Sequence, residues 1–171
     1  MTDVLIITPS EVLDFVGVTE KIEEQYLRPH IRNCMQLELR SLLGTPLFNS
    51  LVDAVADDLV TGATETLLEQ VKPMLSYYVM AAAYYDLSYK VTRKGILRQL
   101  DDGAEAPSDA MIAMKAQQQR DLATSFANDL IEWLDIHSDE YELYRSDDTT
   151  SISKRTGSPI FTGYNKQTKR F

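Results

Sequence analysis

The chain has 171 residues, of which 44% are hydrophobic and 25% are charged, a composition typical of one globular domain with a real core. It lacks any run of about 18 apolar residues, so we expect no membrane-spanning helix. Its first residues lack the basic region of a signal peptide. A single cysteine, Cys34, excludes an internal disulfide and suits a reducing compartment. We therefore expect synthesis and folding in a cytoplasm.

The net charge of −9 is distributed unevenly along the chain. Residues 1–150 contain 12 Lys or Arg against 26 Asp or Glu, a balance of −14, whereas residues 151–171 contain five basic residues and no acid. An acidic body argues against tight wrapping of nucleic acid, because the phosphates would be repelled. We divide the chain into a helical domain, residues 1–145, and a basic extended C-terminal arm, residues 146–171.

Two helices are predicted at the start of the chain. Thr8-Pro9-Ser10-Glu11 has the pattern of a capping box, and Gly17 ends the short helix that it opens. Thr19 is expected to cap a longer second helix, which Pro29 should kink or divide and Gly44 should end. The apolar positions of this second helix recur every three or four residues: Ile22, Tyr26, Leu27, Ile31, Cys34, Met35, Leu39, Leu42 and Leu43.

Two further helices follow in the middle of the chain. Thr45-Pro46 opens a third helix in the same way as Thr8-Pro9, and we place its end near residues 57–58. A fourth helix is predicted from about Thr64 to Val91. Residues 74–85 are apolar on nearly every face of it, so this stretch should be the buried centre of the bundle.

One more long helix is predicted after a break. Residues 92–108 interrupt the helical pattern, and residues 96–100 are compatible with a short strand or a turn. Ser108 caps a fifth helix that reaches about His137. Residues 141–144 are apolar enough to dock onto the body. The predicted fold class is mainly α, a bundle of about five helices with an extended C-terminal arm.

Patterns that carry catalysis or bind metals are sparse. His30 and Cys34 share one face of the second helix, but a metal site would need a further ligand, and Cys34 fits better as a small core residue. Neither His30 nor His137 has the Glu three residues earlier that di-iron bundles use. Nucleophile motifs and glycine-rich phosphate loops are also missing. We therefore expect no catalytic residue, no metal and no cofactor, and a protein that is not an enzyme.

Two clusters of side chains invite a functional interpretation. One is acidic and follows the fifth helix: Asp135, Asp139, Glu140 and Glu142. We interpret it as a solvated surface, able to receive a basic arm from another copy, rather than as a catalytic pair of carboxylates. The other is aromatic: Tyr77, Tyr78, Tyr84, Tyr85 and Tyr89. Core and subunit interface are favoured there over stacking on bases, because Tyr combines a large apolar body with one polar tip.

Four features follow one another in a fixed order along residues 5–145. They are Ile7-Thr8-Pro9-Ser10-Glu11 leading to Phe15, residues 31–37 leading into Leu43-Gly44-Thr45-Pro46, Leu75-Ser76-Tyr77-Tyr78 followed by residues 91–96, and Ile131-Glu132-Trp133-Leu134 followed by residues 141–144. In order and spacing they resemble the head–tail connector (adaptor) proteins of tailed bacteriophages. Those proteins are small helical subunits that form a ring beneath the portal.

The resemblance implies a structural virion protein that joins the portal to the tail and lines the DNA exit channel. It implies a homo-oligomeric ring of about twelve copies. The portal would lie above the ring and the tail or a second neck protein below it, and DNA would pass through the lumen without specific binding. The expected location is the virion neck, after synthesis in the bacterial host cytoplasm, without a membrane partner. The alternatives are a small bacterial helical regulatory or protein-binding domain, and a helical-bundle enzyme whose site the sequence does not reveal.

The basic arm lies outside this resemblance. Its expected assembly contacts are five basic side chains and three apolar ones: Lys154, Arg155, Ile160, Phe161, Tyr164, Lys166, Lys169 and Arg170. We predict that the arm alone buries too little apolar surface to fold and that it becomes ordered against an acidic neighbouring subunit. The alternative is an expression scar or a loose tail that adds solubility.

Overall fold

A computed structural model describes residues 4–18, 22–92, 95–98 and 108–144, and these residues form a mainly α-helical bundle. The helices are α1 (Pro9–Val16), α2 (Glu24–Cys34), α3 (Arg40–Leu43), α4 (Thr45–Ala56), α5 (Ala63–Ser88) and α6 (Asp109–Ile136). A π-helical turn, Met35–Leu39, joins α2 to α3, so that residues 24–43 are one continuous helix. The described part of the chain therefore contains five continuous helices, and the predicted fold class is confirmed.

Local capping chemistry sets several of the helix ends where the sequence predicted them. The Thr8 hydroxyl accepts a hydrogen bond from the Glu11 backbone N–H at 3.2 Å, and the Glu11 carboxylate accepts one from the Thr8 N–H at 2.8 Å. Gly17 and Gly44 end their helices with φ values of 73° and 78°, a region that glycine enters without steric cost. The Ser108 hydroxyl accepts a backbone N–H of α6. These four predicted boundaries are confirmed.

The second predicted helix differs from its prediction in two ways. It begins at Glu24, after an N-cap residue whose side chain makes no capping hydrogen bond; the predicted cap, Thr19, lies upstream and outside the described residues. The chain also stays helical through Pro29, so this proline does not divide it. The departure from α geometry comes later, where the Arg40 N–H bonds to the Met35 carbonyl five residues back.

Two other predicted boundaries are wrong. Gly44 rather than Thr45 occupies the N-cap of α4, and the Thr45 hydroxyl instead accepts a hydrogen bond from Arg40 Nε at 3.3 Å. Helix α5 ends at Ser88 rather than Val91, because the chain there enters a β-hairpin. β-branched residues favour an extended backbone over a helix, which fits the strand character of this stretch.

The hairpin follows α5 directly. Strands β1 (Tyr89–Thr92) and β2 (Gly95–Arg98) pair antiparallel, with Tyr89 opposite Arg98 and Thr92 opposite Gly95. The predicted strand or turn at residues 96–100 is thus a strand as far as Arg98, and the remainder lies outside the described residues.

Helix α5 is the centre of the bundle. It packs against α1, α2, α4 and α6, which explains why its middle is apolar on every side. The fully buried side chains there include Met74, Leu75, Val79 and Ala83. The predicted buried centre is confirmed up to Ala83, whereas Tyr85 at its end is exposed to solvent.

Helices α5 and α6 run antiparallel along each other. Tyr77 of α5 stacks on Phe126 of α6 with ring centroids 5.4 Å apart. Fourteen residues earlier on α5, the carbonyl of Ala63 accepts a hydrogen bond from the hydroxyl of Tyr141, beyond the end of α6, at 2.7 Å. The last described segment therefore folds back onto the start of α5. Docking is confirmed for Tyr141 and Tyr144, which are buried, and is wrong for Leu143, which is exposed.

Two polar contacts connect helix α1 to α5. Lys72 Nζ lies 2.6 Å from a carboxylate oxygen of Glu11, and the Tyr77 hydroxyl donates to the Phe15 carbonyl at 3.3 Å. Burial alone would raise the pKa of Glu11, but the hydrogen bonds from Lys72 and Thr8 outweigh burial and lower it.

None of the helices that the structure describes combines the length and apolar character needed to span a bilayer.

Candidate assembly surfaces

The eight predicted assembly residues of the arm all lie outside the described residues: Lys154, Arg155, Ile160, Phe161, Tyr164, Lys166, Lys169 and Arg170. What the structure places are the surfaces of the body that such an arm, or another subunit, would meet. Two of these surfaces are distinctive, a face of α6 and a groove beside the last described turn.

The residues first considered as metal ligands are accounted for by other contacts. His30 Nε2 lies 3.0 Å from a carboxylate oxygen of Asp86, which links α2 to α5. Cys34 is buried in the core, as predicted, and burial, reinforced by the charge of Glu38, raises the pKa of its thiol to about 12. The ring of His137 stacks on Trp133. Across the described ranges, no group of three or more His, Cys, Asp or Glu is placed to hold a metal ion.

The aromatic series of α5 belongs mainly to the packing of the bundle. Tyr77 stacks on Phe126, and Tyr78 and Tyr84 are partly buried against the core. The prediction of core positions is confirmed for these three. Tyr85 is exposed and lies on the solvent side of α5. The side chain of Tyr89 is outside the described residues.

Helix α6 exposes three apolar side chains that are centred about 140° around the helix from the centre of its buried face. Met111, Met114 and Leu122 are 52%, 51% and 44% exposed, and at about 100° per residue they fall within an arc of about 80°. We call these three residues the α6 stripe. The buried face of the helix points elsewhere and consists of Ile112, Ala116, Ala123, Ala127, Leu130 and Leu134. The α6 stripe is about 16 Å long at 1.5 Å per residue, and about half of each of its side chains is open to solvent.

The sequence pattern does not predict the α6 stripe. In the sequence Leu122, Phe126, Leu130 and Leu134 are spaced four residues apart, which suggests one shared apolar face. Each step of four advances about 40° beyond a full turn, so Leu122 and Leu134 lie about 120° apart on the helix. Leu134 is consequently buried and Leu122 is exposed. The sequence signal for the α6 stripe is the pair Met111 and Met114, which lie in the more polar first half of α6.

The second surface is an open groove of about 310 Å³. Three segments line it: Leu47, Ser50 and Leu51 of α4, Ala63, Thr64 and Leu67 of α5, and residues 139–143. We call it the acidic groove. Leu47, Leu51, Leu67 and Tyr141 are buried beneath it, and Asp139, Glu140 and Glu142 are exposed around it.

The acidic groove brings together three of the four acids that the sequence singled out. Asp139, Glu140 and Glu142 line it, whereas Asp135 does not. Burial, followed by the charge of Glu140, raises the pKa of the Tyr141 hydroxyl, which therefore stays a neutral donor to the Ala63 carbonyl. That hydrogen bond holds the acidic turn against the first turn of α5. The predicted acidic surface thus surrounds a groove that has apolar side chains at its base.

Acidic side chains continue beyond the acidic groove along the same end of the molecule. Residues 121–144 contain seven Asp or Glu and no Lys or Arg. These residues are the second half of α6 and the turn that closes the acidic groove. A partner for this end should carry positive charge.

Comparison with known proteins gives one family. No curated protein and no solved structure matches the chain. The model of a family of unknown function, DUF6712, matches residues 39–154. The match runs from the end of the π-helical turn through α4, α5 and α6, and it continues beyond the last described turn. Since it covers more than half of the 171 residues, the chain belongs to the DUF6712 family.

Proposed function

We propose that the chain is a structural subunit of a phage head–tail connector ring, joining the portal to the tail and lining the DNA exit channel. The observation that carries this proposal is the α6 stripe. A helix that is packed on one face and carries three half-exposed apolar side chains on another face leaves hydrophobic surface for a partner to cover. Methionine adapts its shape to a neighbouring surface, so two of the three side chains suit a subunit contact.

The arrangement of charge supports a ring in particular. Neighbours in a closed ring meet through two different surfaces, unlike the two halves of a symmetric dimer. This chain offers such a pair, an acidic end at residues 121–144 and a basic stretch at residues 151–171. Opposite charges on the two surfaces favour the head-to-tail contact and disfavour contact of like surfaces. An acidic body also lets DNA phosphates pass without being held.

The placement of the resembling motifs supports the same proposal. Residues 7–15 form the entry and body of α1, and residues 43–48 form the junction between α3 and α4. Residues 75–78 lie in the buried centre of α5, and residues 91–92 and 95–96 pair in the strands of the hairpin that follows. Residues 131–134 lie near the end of α6, and Tyr141 and Tyr144 dock behind it. Each motif therefore coincides with a structural junction or with the core.

The mass of the assembly tests the proposal. About twelve copies of a 19.4 kDa chain would give an assembly of about 230 kDa in native mass spectrometry. The double variant Met114→Glu, Leu122→Glu should remain folded and lose the assembly, because it places charge on the α6 stripe. Leu59→Glu is the control, since Leu59 is also an exposed apolar residue, at 66%, but lies in the loop between α4 and α5.

Two results would contradict the proposal. One is a chain that remains a 19.4 kDa monomer at every concentration and also fails to bind portal rings. That result would favour a small helical regulatory or protein-binding domain. The other is an assembly that the α6 stripe variant and the Leu59→Glu control disturb equally, since the α6 stripe would then have no special part in it.

A further inference from the structure

The acidic groove is a docking site by shape as well as by charge. Its base is apolar, through Leu47, Leu51 and Leu67, and its edge carries exposed carboxylates. Pockets that hold small ligands have volumes of roughly 300–1,000 Å³. A groove of about 310 Å³ is at the small end of that range and suits one or two inserted side chains.

The lining determines what kind of segment fits. Three carboxylates, those of Asp139, Glu140 and Glu142, line the acidic groove, and none of its lining residues is Lys or Arg. A matching segment should present aromatic or aliphatic side chains for the base and positive charges on both sides of them. Acidic peptides and phosphorylated ligands would be repelled.

The C-terminal arm, beyond the described residues, contains a segment of this composition. Ile160, Phe161 and Tyr164 are preceded by Lys154-Arg155 and followed by Lys166. The described chain ends at Tyr144, next to Leu143 in the lining of the acidic groove. The sixteen residues from there to Ile160 span up to about 55 Å when extended and about 22 Å as a flexible coil. Reaching an adjacent copy of the chain is therefore within the length available.

We propose that the acidic groove of one copy receives residues 160–164 from the arm of a neighbouring copy. The proposal rests on the proposed function, because it names the contact that links ring neighbours. Ile160 or Phe161 would occupy the apolar base, and the flanking Lys and Arg would face the three carboxylates. Because groove and arm are different surfaces, each copy in a ring uses its groove toward one neighbour and its arm toward the other, and such a series closes where the rotation between neighbours divides a full turn.

Photo-cross-linking of the full-length chain tests this contact. Phe161 is replaced by the photo-reactive analogue p-benzoylphenylalanine, and light and ¹⁵N-labelled chains are mixed at low concentration before they are concentrated and irradiated. We expect cross-links from position 161 to peptides containing residues 47–51, 63–67 or 139–143, joining a light chain to a heavy chain. The same analogue at exposed Tyr26 on α2 is the control and should give no cross-link to those peptides.

Charge reversal provides the matched comparison. The double variant Glu140→Lys, Glu142→Lys should lower the yield of light–heavy cross-links about tenfold, because two attractions become repulsions. The control Asp53→Lys, Asp57→Lys changes the net charge equally, at two exposed acids, one on α4 and one at its C-cap, that do not line the acidic groove. It should leave the yield unchanged. Equal effects of the two double variants would overturn the proposal.

The remaining outcomes separate this inference from the proposed function. Cross-links to the acidic groove of the same chain, cross-links to other regions, or none at all would each overturn the inference. If the chain forms rings and the cross-links map elsewhere, only the inference fails. If light–heavy cross-links map to the acidic groove but the chain forms only dimers or open filaments, the inference holds and the connector proposal fails.

Discussion

A pair of charge substitutions at neighbouring positions of α5 tests where the core lies. Ala83 is 0% exposed, whereas Ala82, one residue earlier and about 100° around the helix, is only partly buried. In Ala83→Asp, desolvating an unpaired carboxyl costs about 2–3 kcal/mol, and overfilling a packed site costs about 1–3 kcal/mol more. We therefore expect the free energy of unfolding to fall by about 4 kcal/mol. Ala82→Asp should cost about 1 kcal/mol, because its carboxylate can reach water.

The pH dependence of the Ala83→Asp variant provides a second check. Burial raises the pKa of the introduced carboxyl in the folded state above its unfolded value of about 3.9. The part of the destabilisation due to the charge is then complete above the raised pKa and disappears below the unfolded pKa, whereas the cost of overfilling remains. The deficit relative to the parent should therefore shrink, but not vanish, as the pH falls. Urea unfolding followed by far-UV circular dichroism at several pH values measures both effects. Equal losses for Ala82→Asp and Ala83→Asp at neutral pH would refute the orientation of α5.

Three further predictions concern single features of the molecule. Because its pKa is raised to about 12, Cys34 should react with a thiol reagent at pH 8 on the order of 10³-fold more slowly in the native chain than in urea; equal rates would contradict its burial. Glu11→Gln should lower the free energy of unfolding by about 0.5–1 kcal/mol at pH 7, a modest value for a partly exposed contact. Since the pKa of Glu11 is lowered on folding, its contribution is complete above the unfolded pKa and is lost as the pH falls through the folded one. Deletion of residues 151–171 should leave the far-UV signal of the body unchanged and weaken assembly, as should high salt in the intact chain; an unaltered assembly would show that the arm takes no part in it.

Local chemistry explains which boundaries the sequence predicted. The Thr8 and Ser108 caps, and the positive φ at Gly17 and Gly44, depend on residues within one turn of each other. Such signals are complete within a few residues, so they can be recognised without tertiary structure. The predicted helix boundaries at Thr45 and at the end of α5 were wrong because adjacent residues were equally compatible with the local helix-start or helix-end pattern.

Tertiary arrangement explains what the sequence did not predict. The acidic groove is assembled from α4, the start of α5 and residues 139–143, which are far apart along the chain. Its three carboxylates were recognised as a cluster, but the apolar base supplied by Leu47, Leu51 and Leu67 was not. The α6 stripe was missed because a spacing of four drifts around an α-helix. Both surfaces become apparent only when the packing of α6 on α5 is known.

Electron microscopy of the negatively stained full-length chain distinguishes a connector ring from other assemblies. We expect closed rings with rotational symmetry and a central channel, which bind end-on to purified portal rings when the two are mixed. The double variant Met114→Glu, Leu122→Glu should give only separate subunits in the same images. Symmetric dimers, open filaments or separate subunits in the parent chain, with or without portal rings, would contradict the claim that this protein is a connector subunit.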